Sequence, residues 1–182
     1  MLFDGSSRER KDRVGITFPY STLAWPREFD TLESLITLEQ AETAYMAPIR
    51  VLVVDDHELA RRGIRSVLSS DASLDVVWEA ADGEEAVKRA AEFRPTIILL
   101  DITLPGMSGI QAARRIRVVS PDSRIIFLSQ HDSISIAKDA LSAGAQGYVV
   151  KSDAGLDLLT AIQAVHEGRE FVSRTLVARG WN

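Results

Sequence analysis

Five polar residues stand where short apolar runs end: Asp55 and Asp56 after VLVV, Asp101 after IILL, Ser129 after IIFL and Lys151 after YVV. Three carboxylates brought to one place oppose each other's ionisation. A divalent cation removes that conflict, and hard oxygen donors suit Mg2+, which is commonly held by one or two carboxylates, waters and a substrate phosphate. Asp55 and Asp56 then make a metal side, and Lys151 and Ser129 a side that faces a phosphoryl group. Asp101, between them, is placed to attack phosphorus with its carboxylate and become an aspartyl phosphate. That chemistry asks of the protein mainly positioning and charge neutralisation.

Positioning requires the five residues to meet, and the pattern of the chain supplies a way. From Ile49 onward, β-branched runs alternate with amphipathic stretches, which predicts βα units around a parallel sheet buried on both faces. The strands fall at 49–54, 75–80, 96–101, 124–129 and 147–151. The helical stripes are Leu59, Gly63, Val67 and Leu68; then Ala86, Val87, Ala90 and Ala91; then Ile110, Ala113 and Ile116; then Ile134, Ala137 and Leu141; and finally Leu158, Leu159, Ile162 and Val165. Arg94-Pro95, Ser120-Pro121 and Gly144 stop the second, third and fourth helices. The expected fold is α/β, a (βα)5 doubly wound parallel sheet of five strands. Ligands of such sheets gather outside the carboxyl ends of the strands, where the five polar residues lie. Pro105-Gly106 turns the chain away after Asp101 and leaves its carboxylate open.

Composition narrows the rest. The chain has 182 residues, 46% hydrophobic and 26% charged, which is globular composition. A formal net charge of -5 gives no general nucleic-acid surface. The absence of cysteine removes disulfides, thiolate metal sites and cysteine nucleophiles. No apolar run reaches the ~20 residues of a membrane helix, and the opening MLFDGSSRERKDRVG lacks the core of a secretory signal, so a cytoplasmic location is expected. Residues 1–47 carry no chemical motif and read as an N-terminal extension, disordered or partly helical around 30–45. Met46-Ala47-Pro48 stands where a chain of this fold can begin.

The stretches VLVVDDHELARRG, LLDITLPGMSGI, FLSQHD and AGAQGYVVKSD together resemble the receiver domain of two-component response regulators, particularly the NarL/FixJ (LuxR-type) branch. The likeness spans roughly Ile49 to Ser173, with the receiver domain bounded at 48–173 and a short tail at 174–182. It implies a flavodoxin-like fold in which Asp101 is the phosphoacceptor. Asp55 and Asp56 would be the acidic metal pair, and the Thr103 backbone carbonyl a further ligand of Mg2+. Ser129 would be the switch hydroxyl, Tyr148 the switch aromatic and Lys151 the phosphoryl-binding lysine. Ser152 follows that lysine where many receivers have proline. The resemblance also implies a sensor histidine kinase as phosphodonor, a switch of the fourth-helix, fifth-strand and fifth-helix face, and, by analogy, a homodimer. Chains of this branch usually continue into a DNA-binding helix-turn-helix. RTLVARGWN is too short for one, so no DNA contact is expected from these residues; the expectation is part of a transcriptional regulator or a stand-alone receiver.

Other readings are weaker. A haloacid-dehalogenase-type phosphatase needs a second acid two residues after its nucleophile, where this chain has Thr103. A pseudo-receiver without phosphorylation sits poorly with an intact acid cluster. No G-x-G-x-x-G follows the first strand. His57 and His131 are expected to face solvent, Arg61-Arg62 and Arg114-Arg115 to form wet helix faces, and Asp56 to cap the first helix besides serving a metal.

Overall fold

Strands that are buried on both faces must be apolar at every position, and IILL and IIFL are. The computed structural model describes residues 48–181; the expectations for residues 1–47 lie outside them. Six strands alternate with helices: β1 (Ile49–Val54), α1 (Glu58–Leu68), β2 (Leu74–Ala80), α2 (Gly83–Phe93), β3 (Ile97–Asp101), α3 (Gly109–Val119), β4 (Arg124–Ser129), α4 (Ile134–Ser142), β5 (Gly147–Val150), α5 (Ala154–His166), β6 (Phe171–Val172) and α6 (Arg174–Ala178). All pair in parallel, in the order β2-β1-β3-β4-β5-β6.

The predicted doubly wound parallel sheet is present, with one strand more than expected. β6 has only two residues, paired Gly147 to Phe171 and Tyr148 to Val172. Too short to show a period of its own, it is set by the edge that β5 leaves open. Lys151 also leaves the predicted fifth strand and begins a 3-10 turn, Lys151–Asp153.

Alternation divides the core in two. Leu52, Val54, Ile98, Leu100, Phe127 and Tyr148 face α2, α3 and α4, which meet them with small residues such as Ala86, Ala112 and Ala137. Val51, Val53, Leu99, Ile126, Leu128 and Val149 face α1 and α5, which supply Ile64, Leu68, Leu158 and Ile162. The α1 stripe therefore differs from the one predicted: Leu59 is 82% exposed, and Ile64 takes its place inside. Apolar residues at 59, 63, 64, 67 and 68 allow two adjacent stripes, and only the angle at which the helix lies on the sheet selects between them. Ala91 is exposed as well.

Candidate functional site

The chain runs from β1 outward to β2 and then back across to β3, so β1 and β3 lie side by side where the strand order reverses. Val54 is opposite Leu100, which sets Asp55, the next residue after β1, beside Asp101, the last of β3. Asp101 in turn faces Leu128 on β4, and Ser129 faces Val150 on β5. Register alone thus brings Asp55, Asp101, Ser129 and Lys151 to one edge.

Side chains complete the meeting. Lys151 Nζ lies 2.5 Å from Asp101 Oδ2 and 2.7 Å from Asp55 Oδ2. Asp55 is fully buried and Asp101 is 3% exposed. Backbone amides hold the other oxygens: His57 N donates to Asp55 Oδ1 at 2.9 Å, and Thr103 N donates to Asp101 Oδ1 at 3.0 Å. Burial opposes the Lys151 ammonium, but its hydrogen bond to Asp101 and its close charge contacts with both Asp101 and Asp55 prevail and raise its pKa above the usual lysine value. Two buried carboxylates against one cation leave an excess negative charge.

Asp55 Oδ2 shows where that excess is felt. It is buried with no hydrogen bond of acceptable direction, although the Lys151 ammonium stands 2.7 Å away. The distance marks a real electrostatic contact, yet the lone pairs of this oxygen remain underused. Asp55, Asp56 and His57 can each bring one donor atom within 4.8 Å of the others. An underused buried carboxylate oxygen beside a second, part-exposed carboxylate fits a hard divalent cation.

Asp56 does not cap α1. The N-cap is His57, without a side-chain bond, and the Asp56 carboxylate instead lies 2.8 Å from His57 Nδ1. His57 does face solvent, with a side chain 68% exposed, but it orients Asp56 while its backbone orients Asp55. Arg61 was expected on a wet face and is not on one: its side chain is 16% exposed, donating to Asp55 O at 2.7 Å and to Glu79 Oε2 at 2.8 Å. It ties the end of β1 to β2. Arg62 remains exposed against Glu58.

Ser129 and Tyr148 meet on the α4 side. Ser129 is fully buried, and its Oγ accepts from His131 N at 3.0 Å. Tyr148 is also fully buried, with its hydroxyl donating to His131 O at 2.8 Å. Burial pushes the phenol above its ordinary pKa, the Ser129 contact works against this, and the Asp132 and Asp101 charges add to it. Both switch candidates therefore grip one backbone unit, His131, whose own side chain is exposed. Nothing in the sequence around His131 signals a role for its backbone.

The turn after Asp101 depends on two glycines. Gly106 adopts φ +71°, and a Cβ at Gly109 would lie 1.9 Å from Asp101 O. Only a bare backbone lets α3 start this close to the β3 end. A capping box fastens the start, with Ser108 and Gln111 each bonding the other's backbone amide.

Comparison with known proteins agrees with this geometry. The chain is 39% identical over 130 residues to the DNA-binding transcriptional activator DevR/DosR of Mycobacterium tuberculosis, covering 71% of this chain and 60% of that protein. It is 38% identical over 125 residues to the response regulator UvrY of Escherichia coli, covering 69% and 57%. Among solved structures, a two-component response regulator of the LuxR family from Aurantimonas superposes with a TM-score of 0.69 at 38% identity, covering 72% of this chain and 94% of that one. The chain thus spans 57–60% of the length of these curated relatives. Residues 51–163 match the response regulator receiver domain, and the chain belongs to that family.

Proposed function

We propose that this receiver takes a phosphoryl group on Asp101 from a phosphohistidine of a sensor histidine kinase, and that the adduct switches the face formed by α4, β5 and α5. One observation carries the reading: a single ammonium, Lys151 Nζ, bridges the buried Asp101 and Asp55 at adjacent strand ends.

A carboxylate oxygen of Asp101 attacks phosphorus, the P–N bond of the donor breaks, and its electron pair stays on the imidazole nitrogen; with the other ring nitrogen protonated, the imidazole departs neutral. Lys151 then faces a phosphoryl oxygen in place of a carboxylate charge. Thr103 N holds the remaining carbonyl oxygen of Asp101. Asp55, Asp56 and Asp101, with the Thr103 carbonyl, would hold Mg2+, which when bound neutralises charge on the transferring group. Phosphorylation adds ~1.5 to 2 negative charges and three acceptor oxygens, and Ser129 Oγ is the hydroxyl nearest in register to receive one of them.

The protein acts as a signalling component rather than a turnover enzyme, because Thr103 offers no general acid or base beside Asp101. A cytoplasmic setting accords with a kinase donor, and no helix among the described residues is long and apolar enough to cross a membrane. Output through transcription is supported by the DevR/DosR and LuxR-family likenesses. Residues 48–173 form the receiver unit, and residues 1–47 an extension to it.

Incubation with acetyl phosphate and Mg2+, followed by intact mass analysis, tests the reading. One added phosphoryl group, absent from Asp101→Ala, is expected. Release of many equivalents of phosphate from a phosphomonoester would instead indicate a phosphatase, and no adduct under any condition a pseudo-receiver.

A further inference from the structure

The chain does not leave the domain after α5. Residues 171–181 return along the edge of β5 and lie over the side that carries α4. β6 adds to the sheet, with Phe171 N donating to Gln146 O at 3.0 Å and Ser173 N to Tyr148 O at 2.9 Å. Leu176 is fully buried in the core cluster that contains Tyr148 and Ala137, and Trp181 packs against the same cluster. The Lys138 ammonium of α4 stands 5.8 Å from the centre of the Trp181 ring. The segment thus adds an edge strand and then an apolar plug to the α4 side of the core.

Two polar clasps hold it, and they differ in kind. The first has several bonds centred on the buried Asp157 and Ser173, although the Arg174 side chain that joins it is 57% exposed. Ser173 Oγ donates to Asp153 Oδ2 at 2.7 Å and lies 2.9 Å from Asp157 Oδ2, while Arg174 gives Asp157 a backbone bond at 2.9 Å and a side-chain bond at 2.7 Å. Asp157 is 3% exposed and Ser173 fully buried. Nothing in this clasp touches the acid cluster at Asp101. The second is a single ion pair between Arg179 and Asp132, with side chains 55% and 44% exposed. Exposed pairs of this kind are weak.

The second clasp stands on the switch. Asp132 follows His131, whose N is held by Ser129 Oγ and whose O is held by the Tyr148 hydroxyl. The backbone that carries the Asp132 carboxylate is therefore anchored by two bonds, and one of them, from Ser129, is the bond that a phosphoryl group on Asp101 would compete for. A Ser129 hydroxyl turned toward that group abandons His131 N, and the 130–133 backbone loses one of its two anchors.

We propose that residues 171–181 are a latch, fixed at its root by Asp153 and Asp157 and released at its tip when phosphorylation of Asp101 draws Ser129 from His131 and parts Asp132 from Arg179. This rests on the phosphoacceptor reading above. Release uncovers the apolar surface under Leu176 and Trp181 on the α4 and β5 side, and it frees the direction in which the chain departs from the receiver. The asymmetry of the clasps makes the device work: a buried root survives the change, and a weak exposed tip yields to it.

The test uses the full chain with Trp25→Phe and Trp78→Phe, so that Trp181 is the one fluorescent indole. Acrylamide quenching of Trp181 should rise severalfold when acetyl phosphate and Mg2+ have produced the adduct, checked by intact mass on the same sample. Arg179→Gln should raise quenching without phosphate and leave adduct formation intact. Ser129→Ala should start with raised quenching and show no further rise. A confirmed adduct with unchanged quenching overturns the latch, as does an Arg179→Gln protein quenched no more than its parent. Failure to form the adduct overturns the phosphoacceptor reading and removes the trigger, and the mass measurement separates that failure from the others.

Discussion

Lys151 Nζ and Asp101 Oδ2 are 2.5 Å apart although fifty positions separate them in the chain. The strand that ends in Asp101 has no cation near it in sequence, and this contact supplies one from the end of β5. β3 and β5 are not neighbours; β4 lies between them, so the lysine reaches across one strand to the switch point. The same ammonium also serves Asp55, which makes it the common counter-ion of two buried acids.

Removing that counter-ion should be costly in metal-free buffer. Hydrogen bonds to charged groups contribute about 1.5–3 kcal/mol, so Lys151→Ala is expected to lose about 2 kcal/mol of stability in urea denaturation. Added Mg2+ should narrow the gap, because the cation takes over part of the charge balance.

Alkaline pH should weaken the fold at the same place. The Lys151 pKa is raised in the folded state, so below the unfolded value of ~10.4 its contribution is fully present, and it is lost as pH climbs through the folded value. Tyr148 is raised as well, and its sign is the same: above ~10 the unfolded phenol ionises first. Denaturant titrations should show stability falling from about pH 10 upward, with a shallower fall in Tyr148→Phe and in Lys151→Met.

Mg2+ should stabilise the folded chain by mass action. At ten times Kd the gain is about 1.4 kcal/mol, readable as a rise in Tm. Asp56→Asn, at a side chain 33% exposed, should keep the fold and lose most of that rise. An undiminished rise in Asp56→Asn would place the cation elsewhere.

Gly109→Ala should damage both fold and site. A methyl 1.9 Å from Asp101 O forces α3 away from β3, and overpacking of this sort costs about 1–3 kcal/mol or more. Lower Tm and slower adduct formation are expected together, since Asp101 O belongs to the proposed phosphoacceptor.

Much of the site was legible because its positions are tied to strand ends. A run such as IILLD states both that it is a buried strand and where it stops, and parallel register does the rest for Asp55, Asp101, Ser129 and Lys151. What escaped depends on direction and contact. Arg61 and Arg62 are neighbours on one helix, and only the placement of α1 decides that one spans Asp55 and Glu79 while the other is solvated. His57 and His131 contribute through their backbones, which no side-chain type announces. β6 and α6 are too short for periodicity, and their placement is fixed by long-range bonds to Tyr148, Asp153 and Asp157.

The carboxylate of Asp101 itself is proposed to accept the phosphoryl group. Treating the acetyl-phosphate-reacted protein with borohydride reduces an aspartyl phosphate to homoserine, and peptide sequencing by tandem mass spectrometry locates the change. Homoserine at position 101 alone, absent without the phosphodonor, is the predicted result. Homoserine at Asp55 or Asp56, or none in a protein that carries the added mass, would place the phosphoryl group on a side chain other than Asp101.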